Sequence, residues 1–261
     1  EREAVTRMEL VDVGAGPGTF TLAWKVLTGA DAVMLETAPL MREQAAKLVL
    51  GLFGAPAQFR LSPKHKPRLL LFGHSLNEMG VAAGLSYVKD ADPDRIWLIE
   101  PGTKETFKLA LEFRQALLQS GWGITFPCLG SSACPMQGTE NWCHQYVDVR
   151  HDAQTERLTQ LVHKDRRRLP LTVMMFERPA RVIESANRAR IVRVKEETKF
   201  SHEWQVCHSE EGQLTLSEFQ LPKKSYPKEA KRAIEALLSG SLIEYQVEKV
   251  TAQSTRIRLV R

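Results

Sequence analysis

The chain has 261 residues, 43% of them hydrophobic and 26% charged, the profile of an ordinary globular protein and not of a disordered or membrane-embedded one. No run of about 18 uncharged apolar residues is present, and no basic-then-apolar segment precedes the first strand pattern, so neither membrane spanning nor secretion is expected. The net charge of +5 is unevenly spread: residues 1–149 carry 14 Lys/Arg against 16 Asp/Glu, whereas residues 150–199 carry 13 against 7. A near-neutral first half followed by a largely basic second half suits docking onto a polyanion such as RNA.

In chain order, MELVDV (8–13) reads as a strand, followed by a helix over about 17–28, a strand DAVMLE (31–36) and a helix over about 39–52. RLLLFG (68–73) and RIWLIE (95–100) are further strands, each leading into a helical stretch, and WGITF follows. Strand–helix alternation of this kind implies a mostly parallel sheet with helices on both faces. Residues 128–144, with Cys, Pro, Gly and Ser, break the periodicity and read as an insertion. HQYVDV (144–149), a polar helix and LTVMMFE (171–177) complete the sheet. Beyond Arg178-Pro179 come short, charge-interrupted strands: RIVRVK, EWQVCH, QLTLSEF, IEYQVEKV and TRIRLV, with one helix over about 227–238. The expected organisation is an α/β, Rossmann-like domain over 1–179 with a cysteine insertion at 128–144, then a smaller, basic, β-rich domain over 180–261. The protein is expected to be a monomer.

VDVGAGPGT (11–19) places Asp12 at a strand end, followed by Gly14, Gly16 and Gly18 and then a helix start. Glycines let the backbone turn tightly and approach a ligand. The dinucleotide pattern needs its third glycine after two intervening residues; Gly18 follows after one, which favours S-adenosylmethionine over NAD. Glu36, about 20 residues on, ends the second strand where a carboxylate can accept from ribose hydroxyls. Asp12, the three glycines and Glu36 are therefore the candidate cofactor-binding residues of a class I methyltransferase fold. Ligands of such sheets sit beyond the carboxyl ends of strands, which nominates HSLNEM (74–79) and EPGT (100–103). Asn77, Glu78 and Glu100 are weak catalytic candidates, with helix capping as the competing role.

Cys128, Cys134 and Cys143 lie within 16 residues, and Cys207 follows in a distant strand. Three local thiolates and a remote fourth can close a tetrahedral site for zinc or for an iron–sulfur cluster, and spacing alone does not choose between them. His144, His202 and His208 are nearby substitutes. A different use of Cys128, as a nucleophile adding to a cytosine ring, leaves the other cysteines unexplained.

Taken in order and spacing, VDVGAGPGT, HSLNEM, WLIEPGT, FPCLGSSACP, NWCH and QVCHSEEG resemble the mitochondrial small-ribosomal-subunit methyltransferase-like family, which includes bacterial relatives. The resemblance implies association with the small ribosomal subunit and its rRNA during assembly. It also implies S-adenosylmethionine held by Gly14, Gly16, Gly18 and Glu36, and a four-iron, four-sulfur cluster held by Cys128, Cys134, Cys143 and Cys207. HSLNEM departs from amino-methylating enzymes, which place Asn or Asp, two prolines and an aromatic there. Cofactor binding is thus implied without methyl transfer. An active rRNA methyltransferase and a zinc-containing small-molecule methyltransferase are the alternatives. The first strand pattern begins close to residue 1, so an N-terminal segment is expected to precede the sequence. Without a presequence the expected compartment is a bacterial cytoplasm, or the mitochondrial matrix if the chain is eukaryotic.

Overall fold

A computed structural model describes residues 6–163, 167–180, 186–195 and 198–260. The chain divides into two compact units that interleave in sequence: one comprises 1–100, 109–125 and 173–181, the other 101–108, 126–172 and 182–261.

The first unit is built on β1 (Glu9–Val13), α1 (Thr19–Thr28), β2 (Ala32–Leu35), α2 (Pro39–Phe53), β3 (Arg68–Gly73), α3 (Leu76–Met79), α4 (Val81–Ala91) and β4 (Arg95–Pro101). Helix α5 (Lys104–Gln119) and strand β5 (Gly123–Phe126) follow. The strands run in the order β2-β1-β3-β4-β7-β5, with β1, β2, β3 and β4 parallel and β7 spanning Arg168–Glu177. Strand order reverses between β1 and β3, which creates the crevice expected of a Rossmann-like methyltransferase sheet. All of β1 is buried, and β3 is buried apart from Gly73. That two-sided burial explains why these strands read as continuous apolar runs. At the far end of β3, buried Arg68 donates to Glu9 Oε2 at 2.9 Å and to the Ala91 carbonyl.

In the second unit, β6 (Gln145–Asp148) pairs antiparallel with the start of β7, and α6 spans Ala153–Leu161. The rest is a closed five-stranded barrel of β8 (Arg188–Val194), β9 (Ser201–Glu210), β10 (Gln213–Pro222), β11 (Leu242–Val250) and β12 (Thr255–Leu259). β8, β9 and β10 form an antiparallel meander. β10 then pairs β12 parallel, and β11 closes the barrel antiparallel to both β12 and β8. Counted from β8 the circuit is 1-2-3-5-4-1 with a helix between the third and fourth strands, the topology of an OB fold. Its core is Ala189, Ile191, Trp204, Val206, Phe219, Leu221, Ile234, Ile243, Tyr245 and Ile257.

The helix expected over about 227–238 is much shorter. A 3₁₀ turn at Lys228–Ala230 precedes α7 at Lys231–Glu235, and only Ile234 of α7 is buried. Ile234 enters the barrel core, and Ala230 and Leu237 pack against it from outside the short helix.

Trp204 is 2% exposed at the barrel centre. Trp204→Ala is expected to cost about 3–5 kcal/mol, read as a lower urea midpoint for the second unit.

Candidate cofactor loop and cysteine centre

Beyond β1 the chain turns through Gly14, Gly16 and Gly18 with φ of 66°, 55° and 91°, left-handed values that side chains resist. Two carboxylates hold the loop. Asp12 Oδ2 accepts from Thr21 Oγ1 at 2.8 Å and Thr21 N at 3.1 Å, tying the strand end to the first turn of α1. Glu36 accepts from Gly16 N at 2.7 Å through one oxygen and from Ala38 N at 2.8 Å through the other. A carboxylate offers about four lone-pair sites, so Glu36 retains acceptor capacity. A side chain on Gly14 would meet Ser75 Cβ at 2.6 Å, whereas one on Gly16 would meet nothing within 4 Å. The loop is thus packed on the HSLNEM side and open in front of Gly16. Burial is the main reason the Asp12 carboxyl is raised to about 6.

HSLNEM itself forms the single turn α3 and not a loop. Asn77 and Glu78 are exposed on it. Glu100, 1% exposed, turns back and accepts from Leu76 N at 2.8 Å, while its other oxygen and the Ser75 hydroxyl are buried without a partner. The Glu100 carboxyl is raised to about 7, chiefly by burial. Gly102 of EPGT serves packing: a side chain there would strike the Pro170 backbone at 2.7 Å, and its carbonyl accepts from Trp142 Nε1 at 3.1 Å. That bond links EPGT to NWCH, two motifs 40 residues apart.

All four cysteines lie in the second unit, free of disulfides. Burial pushes the Cys143 thiol far up, and Cys128, Cys207 and Cys134 each raise it further, so the four thiols share one neighbourhood. Gln145 Nε2 donates to Cys143 Sγ at 3.6 Å. Cys207 faces outward on β9 because residues two apart share a face, whereas His202 and His208 alternate into the barrel. There His202 Nε2 bonds Tyr226 and His208 Nε2 bonds Ser217, so neither joins the thiols. Among the described residues no group of three or more His, Cys, Asp or Glu side chains is arranged to hold a metal ion.

Sequence reasoning missed Arg190. It pairs with Cys207 across β8 and β9, donates to the Pro127 carbonyl at 2.6 Å and the Gly240 carbonyl at 2.7 Å, and lies 4.7 Å from the Phe126 ring centre. Burial lowers its pKa, and Cys143, Cys128 and Cys207 oppose that shift. The signal was available: an arginine between the apolar residues of RARIV sits on a buried strand.

Because folded Glu100 keeps its proton up to about pH 7 and an unfolded glutamate loses it near 4.5, stability falls as pH rises through that window. Glu100→Gln should remove that decline and raise stability at pH 8 by on the order of 3 kcal/mol, measured as urea midpoints from pH 5 to 8.

Comparison with solved structures finds a candidate RNA methyltransferase from Pyrococcus horikoshii at 11% identity, covering 67% of this chain and 76% of that one with a TM-score of 0.42. It also finds the TrmK protein of M. capricolum in complex with S-adenosylhomocysteine, at 10% identity, 69% and 68% coverage and a TM-score of 0.37. The B. subtilis m1A22 tRNA methyltransferase TrmK matches at 14% identity, 67% and 64% coverage and a TM-score of 0.39. No curated protein matches the sequence. A protein-family model described as mitochondrial small ribosomal subunit Rsm22 matches residues 3–233. Over that span, which takes in the glycine loop, HSLNEM, EPGT and all four cysteines, the chain belongs to the Rsm22 family of the mitochondrial small ribosomal subunit.

Proposed function

We propose that this protein is a small-ribosomal-subunit assembly factor that binds S-adenosylmethionine, a four-iron, four-sulfur cluster and small-subunit rRNA. The observation that carries the reading is the gathering of Cys128, Cys134, Cys143 and Cys207 into one neighbourhood from the insertion and β9. Three of these thiols, Cys143, Cys128 and Cys207, also act on buried Arg190.

Four thiols can hold either zinc or an iron–sulfur cluster, and among the described residues no group of three or more His, Cys, Asp or Glu side chains is arranged to hold a metal ion. The cluster is preferred on the motif resemblance to the family. Cys128, Cys134, Cys143 and Cys207 would hold it, with Arg190 offsetting negative charge and the Gln145 amide donating to sulfur. The group would supply a cross-link between the insertion and the barrel.

For S-adenosylmethionine, the support is the open space before Gly16, the spare acceptor capacity of Glu36, and the unpartnered Ser75 hydroxyl beside Gly14. Asp12 would act by bracing the loop. When bound, the cofactor supplies an activated methyl group. The second reading, an active rRNA methyltransferase, draws on the position of α3 against Gly14, which would put exposed Asn77 and Glu78 near that methyl group. The family's small-subunit association and the basic second half support rRNA as the partner.

Gly16→Arg and Glu36→Ala are each expected to abolish S-adenosylmethionine binding in calorimetry. Anaerobically purified protein should be brown, with about four irons per chain and broad visible absorption; colourless protein carrying one zinc would refute the cluster. Incubation of small-subunit rRNA with methyl-labelled S-adenosylmethionine separates the two readings, since label incorporated into rRNA establishes the enzyme.

A further inference from the structure

The second unit carries a groove of about 550 Å³ that neither the glycine loop nor the cysteine centre uses. One wall is the tail of the insertion and β6, with Asn141, Trp142, His144 and Tyr146; the other is the end of β8, with Val192, Arg193 and Val194. Arg168, Leu238 and Ser239 complete it. Residues two apart on extended chain project to one side, which aligns three rings. The Trp142 and His144 centres are 5.7 Å apart and nearly parallel, and those of His144 and Tyr146 are 5.1 Å apart and perpendicular. The indole is pinned by its bond to Gly102, so the row is fixed before any ligand arrives.

The charge beside the rings is positive. Arg193 is exposed and spends one nitrogen on Asn141 Oδ1, and a guanidinium has five N–H donors. Arg168 is bonded to Asp148 in an ion pair open to water, which holds weakly. Among the described residues that line the groove there is no carboxylate. Aromatic rings in a row with arginines alongside are what unpaired nucleotides require: ring faces for the bases and cations for the phosphates. A helical duplex keeps its bases stacked internally and would leave the rings unused.

The barrel's own surface explains why this groove, and not the face usual for an OB fold, does the binding. OB folds commonly take oligonucleotides on the face of their second and third strands. Here that face, on β9 and β10, presents Glu203 and Glu218 bonded to Gln220 and Gln205. It also bears Cys207, and Ser132 of the insertion is bonded to the start of β10. Glu218 is also paired with Lys195 at 2.9 Å, so the polar groups of this face are engaged with one another and the insertion covers part of it.

We propose that Trp142, His144 and Tyr146, with Arg168 and Arg193, form a site for single-stranded RNA in which bases stack on the rings and the arginines hold the backbone. The site rests on the rRNA-binding reading and gives it a location. Tyr146, 39% exposed, and Arg193 are the residues to change, because neither supports a core. The probes are a fluorescent oligouridylate, a duplex RNA, intact small-subunit rRNA and an acidic peptide. Tyr146→Ala should weaken oligouridylate binding roughly ten-fold, Tyr146→Trp should preserve it, and Arg193→Glu should weaken it and flatten its salt dependence. Cross-linking of 4-thiouridine RNA should label the peptide containing Trp142 to Tyr146. Oligouridylate binding unchanged by Tyr146→Ala and Arg193→Glu overturns the site. So does binding of intact rRNA or duplex without the oligomer, while leaving rRNA association standing, and so does capture of the acidic peptide in place of RNA. Failure of the wild-type protein to bind any RNA overturns the wider reading as well. Unchanged melting temperatures for the three variants exclude misfolding as the cause.

Discussion

A guanidinium removed from water costs several kcal/mol unless its charge and its donors are answered, and Arg190 is such a group. Its Nε and Nη1 donate to the carbonyls of Pro127 and Gly240, its guanidinium carbon lies 4.7 Å from the Phe126 ring centre, and Cys143, Cys128 and Cys207 favour its charged form. Left as neutral thiols, those groups would leave the cation poorly compensated. Burial is the main reason Cys143 resists ionisation, and the neighbouring thiols add to it. The second unit therefore has a reason to order around this point: Pro127 fixes the start of the insertion, Gly240 packs on Gln145, and Gln145 reaches Cys143.

Much of the first unit was legible in the sequence because its signals are local. RLLLFG matches β3 residue for residue, and the Gly14–Gly18 loop with Glu36 assembles as spacing implied, since strand, turn and returning carboxylate lie within about 25 residues. The second unit was legible only as a set of strands. Period-two alternation reports which residues face a core, but says nothing of the β10–β12 pairing that makes the barrel an OB fold. For Arg190 the alternation could mark a buried arginine, but its partners lie 63 and 50 residues away and could not be named. The helix expected over 227–238 is split into a 3₁₀ turn and a short helix, although Ala230, Ile234 and Leu237 of that span do meet the barrel core as the apolar spacing suggests.

The short motifs that marked the chain as a member of its family divide between two kinds of work. VDVGAGPGT, Glu36 and HSLNEM meet around one loop in the first unit; EPGT's glycine, NWCH and QVCHSEEG meet in the second. EPGT looked from sequence like part of the cofactor crevice. Its glutamate does lie in the first unit, but it caps the α3 turn, and its glycine is a close-packing residue that receives the Trp142 indole. A motif contiguous in sequence thus serves two separate constraints.

Asp12 and Glu100, each 1% exposed, are both buried acids near the loop, and burial raises both carboxyls. The glycine loop lies in the first unit, and the thiols, Arg190 and the aromatic groove lie in the second. What then constrains the first unit is the loop's own architecture: three left-handed glycines are unfavourable unless Asp12 and Glu36 hold them. Cofactor occupancy would stabilise the folded state by mass action whether or not a methyl group ever leaves it.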